Sequence, residues 1–188
     1  MPVITLSRQM GSGGTDIAND VAAKLGLQYV DRQIIFQAAK QAGAPEAALA
    51  EVDEFGILPP MLKAGERKTF VTTVESVIRD FAQRGNVIIV GRGGQVILNE
   101  LPNTLHLQIV APMDMRVEWV AKAEKIDRET ALNRLLASDK ARALYLKRYY
   151  HVDWLDSRLY DLVINTGKIP RATAVALIID AVQSLPLT

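Results

Sequence analysis

Three glycines sit between two kinds of periodicity near the start of the chain. Val3-Ile-Thr-Leu6 is short and β-branched, Gly11-Ser-Gly-Gly14 follows, and Ile17, Val21, Ala22 and Leu25 then recur at helical spacing until Gly26. Strand, glycine loop and helix therefore occur in immediate succession. The first amides of a helix have no partner within it, and its dipole favours an anion there. Glycines let the chain curl so that successive N–H groups face one anion. The chemistry this predicts is phosphate holding on Gly11, Ser12, Gly13, Gly14 and Thr15, with the Thr15 hydroxyl placed to meet Mg²⁺ or a phosphate oxygen. Laid on G-x-x-x-x-G-K-[ST], the stretch from Arg8 to Thr15 matches at Gly13 and Thr15. It departs where Arg8 replaces the first glycine and Gly14 replaces the lysine. Arg8, Arg92 and Arg116 are the candidates to supply the missing charge. A ligand-free turn is the plain alternative. A dinucleotide fingerprint is the weaker one, because Asp16 stands where its third glycine belongs and Asp31 is an indifferent ribose binder.

The elements that must position this loop follow the same alternation. Gln28-Tyr-Val30 reads as a second strand ending at Asp31, followed by helical sequence to about Gln41. The stretch from Ala44 to Gly65 reads as a short helix and a mobile connection broken by Pro59-Pro60. Phe70, Val74, Val77, Ile78 and Phe81 define a helix stopped by Gly85. Val87-Ile-Ile-Val90 is a continuous apolar run, the mark of a strand covered on both faces, and it ends in Gly91-Arg92-Gly93-Gly94. Leu105 to Val110 is a strand, Met113 to about Lys125 a helix, and Asp127 caps the next helix. Leu162-Val-Ile164 is the last strand and Pro170 to Ser184 the last helix. Five short strands alternating with helices call for a three-layer α/β fold, a parallel sheet with helices on both faces. Ligands bind such sheets at the carboxyl ends of the strands. Ser7 to Thr15, Asp31-Arg32, Gly91 to Gly94, Pro112 to Arg116 and Asn165 to Gly167 are then the segments to inspect.

Composition narrows the classes. The 188 residues suit one domain. There is no cysteine, which excludes disulfides, thiolate nucleophiles and zinc-cysteine sites. His106 and His151 are far apart and do not suggest a metal site, and His106 lies in an apolar run where a packed histidine is expected. With 22 basic and 21 acidic residues the net charge is +1, so neither nucleic acid nor a membrane is demanded as partner. No secretory signal and no run of roughly 20 apolar residues is present, and the cytoplasm is the default compartment. The apolar face from Phe70 to Phe81 suits a homodimer or the core equally.

Taken together, ITLSRQMGSGGTDIA, YVDRQII, NVIIVGRGGQVIL and YYHVDWLDSRLYDLVINTG resemble the cytidylate kinase-like family, a branch of the nucleoside monophosphate kinases, over nearly the whole chain. The resemblance implies a P-loop NTPase fold with strand order 2-3-1-4-5 and a single domain over residues 1–188. It implies a mobile monophosphate-binding region at about 31–66 and a small helical lid at about 113–150. It implies ATP and Mg²⁺ on the glycine loop, and a nucleoside monophosphate, CMP or dCMP most simply, opposite. Arg92 in the Gly91-Arg92 pair would bind the monophosphate, with Asp31, Arg32 and Asp139 in the acceptor site; Asp31 serves equally as the N-cap of the 32–41 helix, and a solvated Arg32 is the plain alternative. Arg116, Arg134 and Arg142 would arrive from the lid. The chain departs from true cytidylate kinases in the absent lysine, in Gly93 where an acidic residue follows the arginine, and in the segment after Asp31. A nucleotide-binding or regulatory module that kept the fold without catalysis is the competing expectation. Nucleic-acid binding by the run from Lys140 to Arg148 is a third; a solvated helix face explains that run without any ligand.

Overall fold

The computed structural model describes residues 1–31, 40–41 and 64–185. The expected helix after Asp31 and the connection from Ala44 fall largely outside these residues, as does Arg32. Along the chain run β1 (Val3–Arg8), α1 (Gly14–Leu25), β2 (Gln28–Val30), α2 (Ala64–Arg84), β3 (Val87–Val90), α3 (Gly94–Ile97), β4 (Thr104–Val110), α4 (Met113–Glu124), α5 (Arg128–Tyr150), a 3₁₀ turn at Ser157–Leu159, β5 (Leu162–Asn165) and α6 (Arg171–Ser184). The strands form one parallel sheet in the order β2-β3-β1-β4-β5. This is the three-layer α/β fold, with the strand order 2-3-1-4-5, that the sequence led us to expect.

Alternation along β1 and β4 divides the core. Ile4, Leu6, Leu105, Leu107 and Ile109 face α1 and α6, where they meet Ile17, Val21, Val175 and Ile178. Val3, Val30, Val87 and Ile89 face α2 and α3 and pack on Phe70, Val74, Ile78 and Leu98. Each such fully buried aliphatic or aromatic side chain is worth about 1.5–3 kcal/mol relative to exposure. Phe70 and Phe81 are both part of this core, so packing within the chain accounts for that face of α2.

A polar layer interrupts the second face. His106 Nδ1 and Thr5 Oγ1 hydrogen-bond at 2.7 Å across β1 and β4, and the His106 backbone N–H donates to Asp161 at 2.7 Å. Burial pushes the His106 pKa down, so the imidazole is neutral in the fold and acid favours the unfolded chain below the ordinary histidine range. This is the packed histidine that its apolar surroundings imply. Gln108 Nε2 at 2.9 Å and the Tyr160 hydroxyl at 2.6 Å both donate to the Trp154 carbonyl, which fixes that tryptophan near the carboxyl end of the sheet.

Asp127 accepts from the Thr130 amide at 2.8 Å and starts α5 as a side-chain cap should. No helix among the described residues is long and apolar enough to cross a membrane.

Candidate functional site

The carboxyl ends of the strands open into a cleft of about 830 Å³. The loop after β1 forms one wall. Gly11 and Gly13 have φ of 75° and 74°, the left-handed region in which glycine alone carries no Cβ penalty. Gly13 is the N-cap of α1 and no side chain caps the helix, so its opening amides have no side-chain partner. Gly11, Gly13, Gly14 and Thr15 all line it. Ser12 does not. It is buried, its amide and hydroxyl both donate to the Gln9 carbonyl at 3.2 and 2.8 Å, and it holds the loop rather than a ligand.

The loop is clamped from three sides. The Gln9 amide donates to the Ile109 carbonyl and its side-chain oxygen accepts from the Ala111 amide, both at 3.0 Å. Thr166 Oγ1 donates to the Ser12 carbonyl at 2.8 Å. Arg116 Nη1 donates to the Met10 carbonyl at 3.2 Å. A cradle fixed before its ligand arrives loses little to reorganisation when charge develops. Gln9 stands at a variable place in the loop pattern and nothing in the sequence singles it out. Thr166 lies in one of the post-strand segments that sequence reasoning marks for inspection.

The opposite wall begins at the loop after β3. Gly91, Arg92 and Gly93 have φ of 85°, 58° and 73° in succession. A left-handed arginine is strained by roughly 1–2 kcal/mol, and such residues cluster at functional sites. The turn carries the Arg92 guanidinium into the cleft, 5.4 Å from the centroid of the Tyr145 ring. A side chain at Gly93 would meet both a left-handed backbone and α5, since a Cβ there would sit 2.9 Å from Tyr150 Cε2 and 3.1 Å from Leu146 Cδ2. Both disfavour the acidic residue expected after the arginine. Gly93→Ala is expected to destabilise the fold by about 2 kcal/mol through backbone strain and that contact, measurable by denaturant titration.

From α5, Arg142 enters the cleft beside Ser138, to which it hydrogen-bonds, and stands 6.0 Å from the Trp154 ring. Burial, and then the charges of Arg8, Arg116 and Arg92 against the opposing pull of Asp139, lower its pKa from the usual arginine value to about 10. Arg134 lines the rim of the cleft, paired with Glu124. Tyr145 and Trp154 are buried in a cluster with Leu146 and still present an edge to the cleft. The basic run is thereby split: Arg142 turns inward, while Lys140, Lys147 and Arg148 are exposed.

Two expected ligand contacts are committed to each other instead. Arg116 is buried and does not line the cleft, and its guanidinium meets Asp139 through two hydrogen bonds of 3.2 and 2.8 Å. The pair ties α4 to α5 behind the glycine loop. Asp31 lies at the end of β2 and lines the cleft floor with Tyr29. The described residues contain no cluster of three metal-ligating side chains. Thr15, Asp16 and Asp31 all line the cleft, which suits an ion held mainly by the phosphates it accompanies.

Residues 3–168 match the cytidylate kinase-like family. The chain belongs to that family. This cytidylate kinase-like chain is 29% identical over 169 residues to the cytidylate kinase of Methanocaldococcus jannaschii, covering 88% of this chain and 89% of that one. It is 31% identical over 185 residues to the cytidylate kinase of Pyrococcus horikoshii, covering 97% and 89%. Its fold superimposes with a TM-score of 0.80 and 26% identity on a solved structure from Eubacterium ventriosum, over 98% of this chain and 99% of the other. The family likeness spans both walls of the cleft, from β1 through the turn after β5.

Proposed function

We propose that the chain transfers a phosphoryl group from ATP to a nucleoside monophosphate, with CMP or dCMP as the acceptor. One observation carries the reading: the uncapped start of α1 and the side chains of Arg92 and Arg142 line a single cleft. The cytidylate kinases among its relatives supply the acceptor base. The cleft volume of about 830 Å³ is that of an ordinary small-molecule site.

An oxygen of the acceptor phosphate attacks the γ-phosphorus of ATP, the bond from that phosphorus to the β–γ bridging oxygen breaks, and ADP leaves with the electron pair. Such transfer asks the protein for position and positive charge more than for covalent chemistry. The amides of Gly13, Gly14 and Thr15 hold the donor phosphates. Arg92 pairs two oxygens of the acceptor phosphate through its planar fork. Arg142 faces the transferred group from the lid side. Mg²⁺ entering with the nucleotide would be held by the phosphates, the Thr15 hydroxyl and Asp31 through water, and would neutralise charge on the donor. Tyr145 and Trp154 keep water from the arginines, which strengthens their pull on phosphate.

The test is a coupled assay with ATP, Mg²⁺ and a panel of CMP, dCMP, UMP, AMP and GMP. CMP or dCMP is expected to give the highest kcat/KM. ATP binding without transfer to any monophosphate rejects the kinase reading in favour of a nucleotide-binding module.

A further inference from the structure

Gly14 and Arg8 depart together from the lysine-bearing loop pattern, and the structure gives one reason for both. Gly14 opens α1 and is not among the left-handed residues, so its backbone does not require glycine. Space does. A Cβ on Gly14 would lie 2.6 Å from Arg8 Cβ, 3.1 Å from Arg8 Cγ and 3.2 Å from Ile109 Cβ. The closest clash is with the Cβ of residue 8, which no rotamer change can move. Positions 8 and 14 therefore hold one Cβ between them. The pattern with glycine first and lysine seventh satisfies this by placing the stem on the helix; this chain places it on the strand.

The Arg8 side chain leaves the last position of β1, crosses Gly14, and brings Nη1 to 3.0 Å from where a Cβ on Gly91 would stand. It thus spans from the glycine loop to the Gly91–Gly93 turn and lines the cleft between them. Its charge is felt at Tyr29 and Arg142, on either side.

We propose that Arg8 is the cation that grips the donor γ-phosphoryl and its bridging oxygen in place of the P-loop lysine, and that Arg8 and Gly14 form a reciprocal exchange with Gly and Lys at the same two positions. This rests on the phosphoryl-transfer reading above. Lysine offers a point charge from the helix. Arg8 offers a fork that reaches two oxygens at once.

The exchange can be run in the full-length protein with Arg8→Gln, Arg8→Gly, Gly14→Lys and the double variant R8G/G14K. ATP·Mg²⁺ and ADP dissociation constants, transfer rate and melting temperature are measured for each. Arg8→Gln keeps the stem and removes the charge; it is expected to cut transfer by on the order of 10²–10³ and to weaken ATP at least tenfold more than ADP, at unchanged melting temperature. Gly14→Lys alone is expected to lower the melting temperature, because two Cβ atoms then claim one space. The double variant is expected to regain the melting temperature and at least tenfold in ATP affinity over Arg8→Gly, a coupling that independent sites would not show.

Wild-type behaviour in Arg8→Gln overturns the proposal. So does a Gly14→Lys protein as stable as wild type, or a folded double variant no better than Arg8→Gly. Should the double variant fail to fold, Arg8→Gln decides alone. Should wild type bind ATP and transfer to no monophosphate, the kinase reading fails while the ATP affinities still decide the role of Arg8.

Discussion

Arg92→Ala is expected to lower kcat/KM for the monophosphate by on the order of 10²–10³, in a protein that still folds. The two halves of that expectation come from the same backbone. Arg92 is a non-glycine residue at φ 58°, between two glycines that are also left-handed. Its conformation costs roughly 1–2 kcal/mol, and its charge stands in the field of Arg142 near Arg8. Arg92→Gly relieves the left-handed backbone that Arg92→Ala keeps, so the glycine variant is expected to melt higher than the alanine variant and to be equally impaired. Arg92→Lys restores the charge without the planar fork and is expected to recover only a small part of the activity. Steady-state kinetics against the monophosphate, with calorimetric melting of each variant, reads both halves. Wild-type kcat/KM in Arg92→Ala would reduce Arg92 to a residue of the turn.

The strands were legible in the sequence wherever one physical constraint dominated. Val87 to Val90 is covered on both faces, so it reads as an unbroken apolar run, and its observed limits agree to the residue. Asp127 was legible as a cap because its side chain serves a backbone three residues away. Four-residue α3 (Gly94–Ile97) is too short to show a period, and it was missed. The glycine loop declared itself by composition, as did the turn at Gly91-Arg92. What the sequence could not show was pairing between distant elements. Arg8 and Gly14 look like two separate losses until β1 and α1 bring them together. Arg116 and Asp139 look like two ligand contacts until α4 packs on α5, 23 residues apart in the chain. Charge alone marks a residue as able to bind phosphate; only burial and partners say whether the charge is already spent.

That distinction gives Asp139→Asn its expected effect. The Arg116 side chain is 3% exposed and the Asp139 side chain 20%, and the carboxylate receives two hydrogen bonds from the guanidinium. Asp139 also lies within 3.9 Å of Arg142, so one carboxylate opposes a group of arginines that includes Arg8 and Arg92. Removing one partner of a buried pair leaves an uncompensated charge and costs about 3–5 kcal/mol, a fall on the order of 10 °C in melting temperature for a domain of this size. Arg116→Met combined with Asp139→Asn removes both charges and is expected to recover much of that loss, because the expense lies in the orphaned guanidinium. An anion in the cleft can offset in part the positive charge that Arg142 then shares with Arg8 and Arg92. Phosphate or ATP is therefore expected to raise the melting temperature of Asp139→Asn by more than it raises that of wild type, since the ligand binds a folded state left short of negative charge. A direct role for Asp139 in holding substrate predicts the opposite pattern: unchanged melting of the free protein, weakened monophosphate binding, and no rescue by the second substitution. Thermal scans of the three proteins with and without phosphate separate a strut behind the phosphate loop from a ligand contact in front of it.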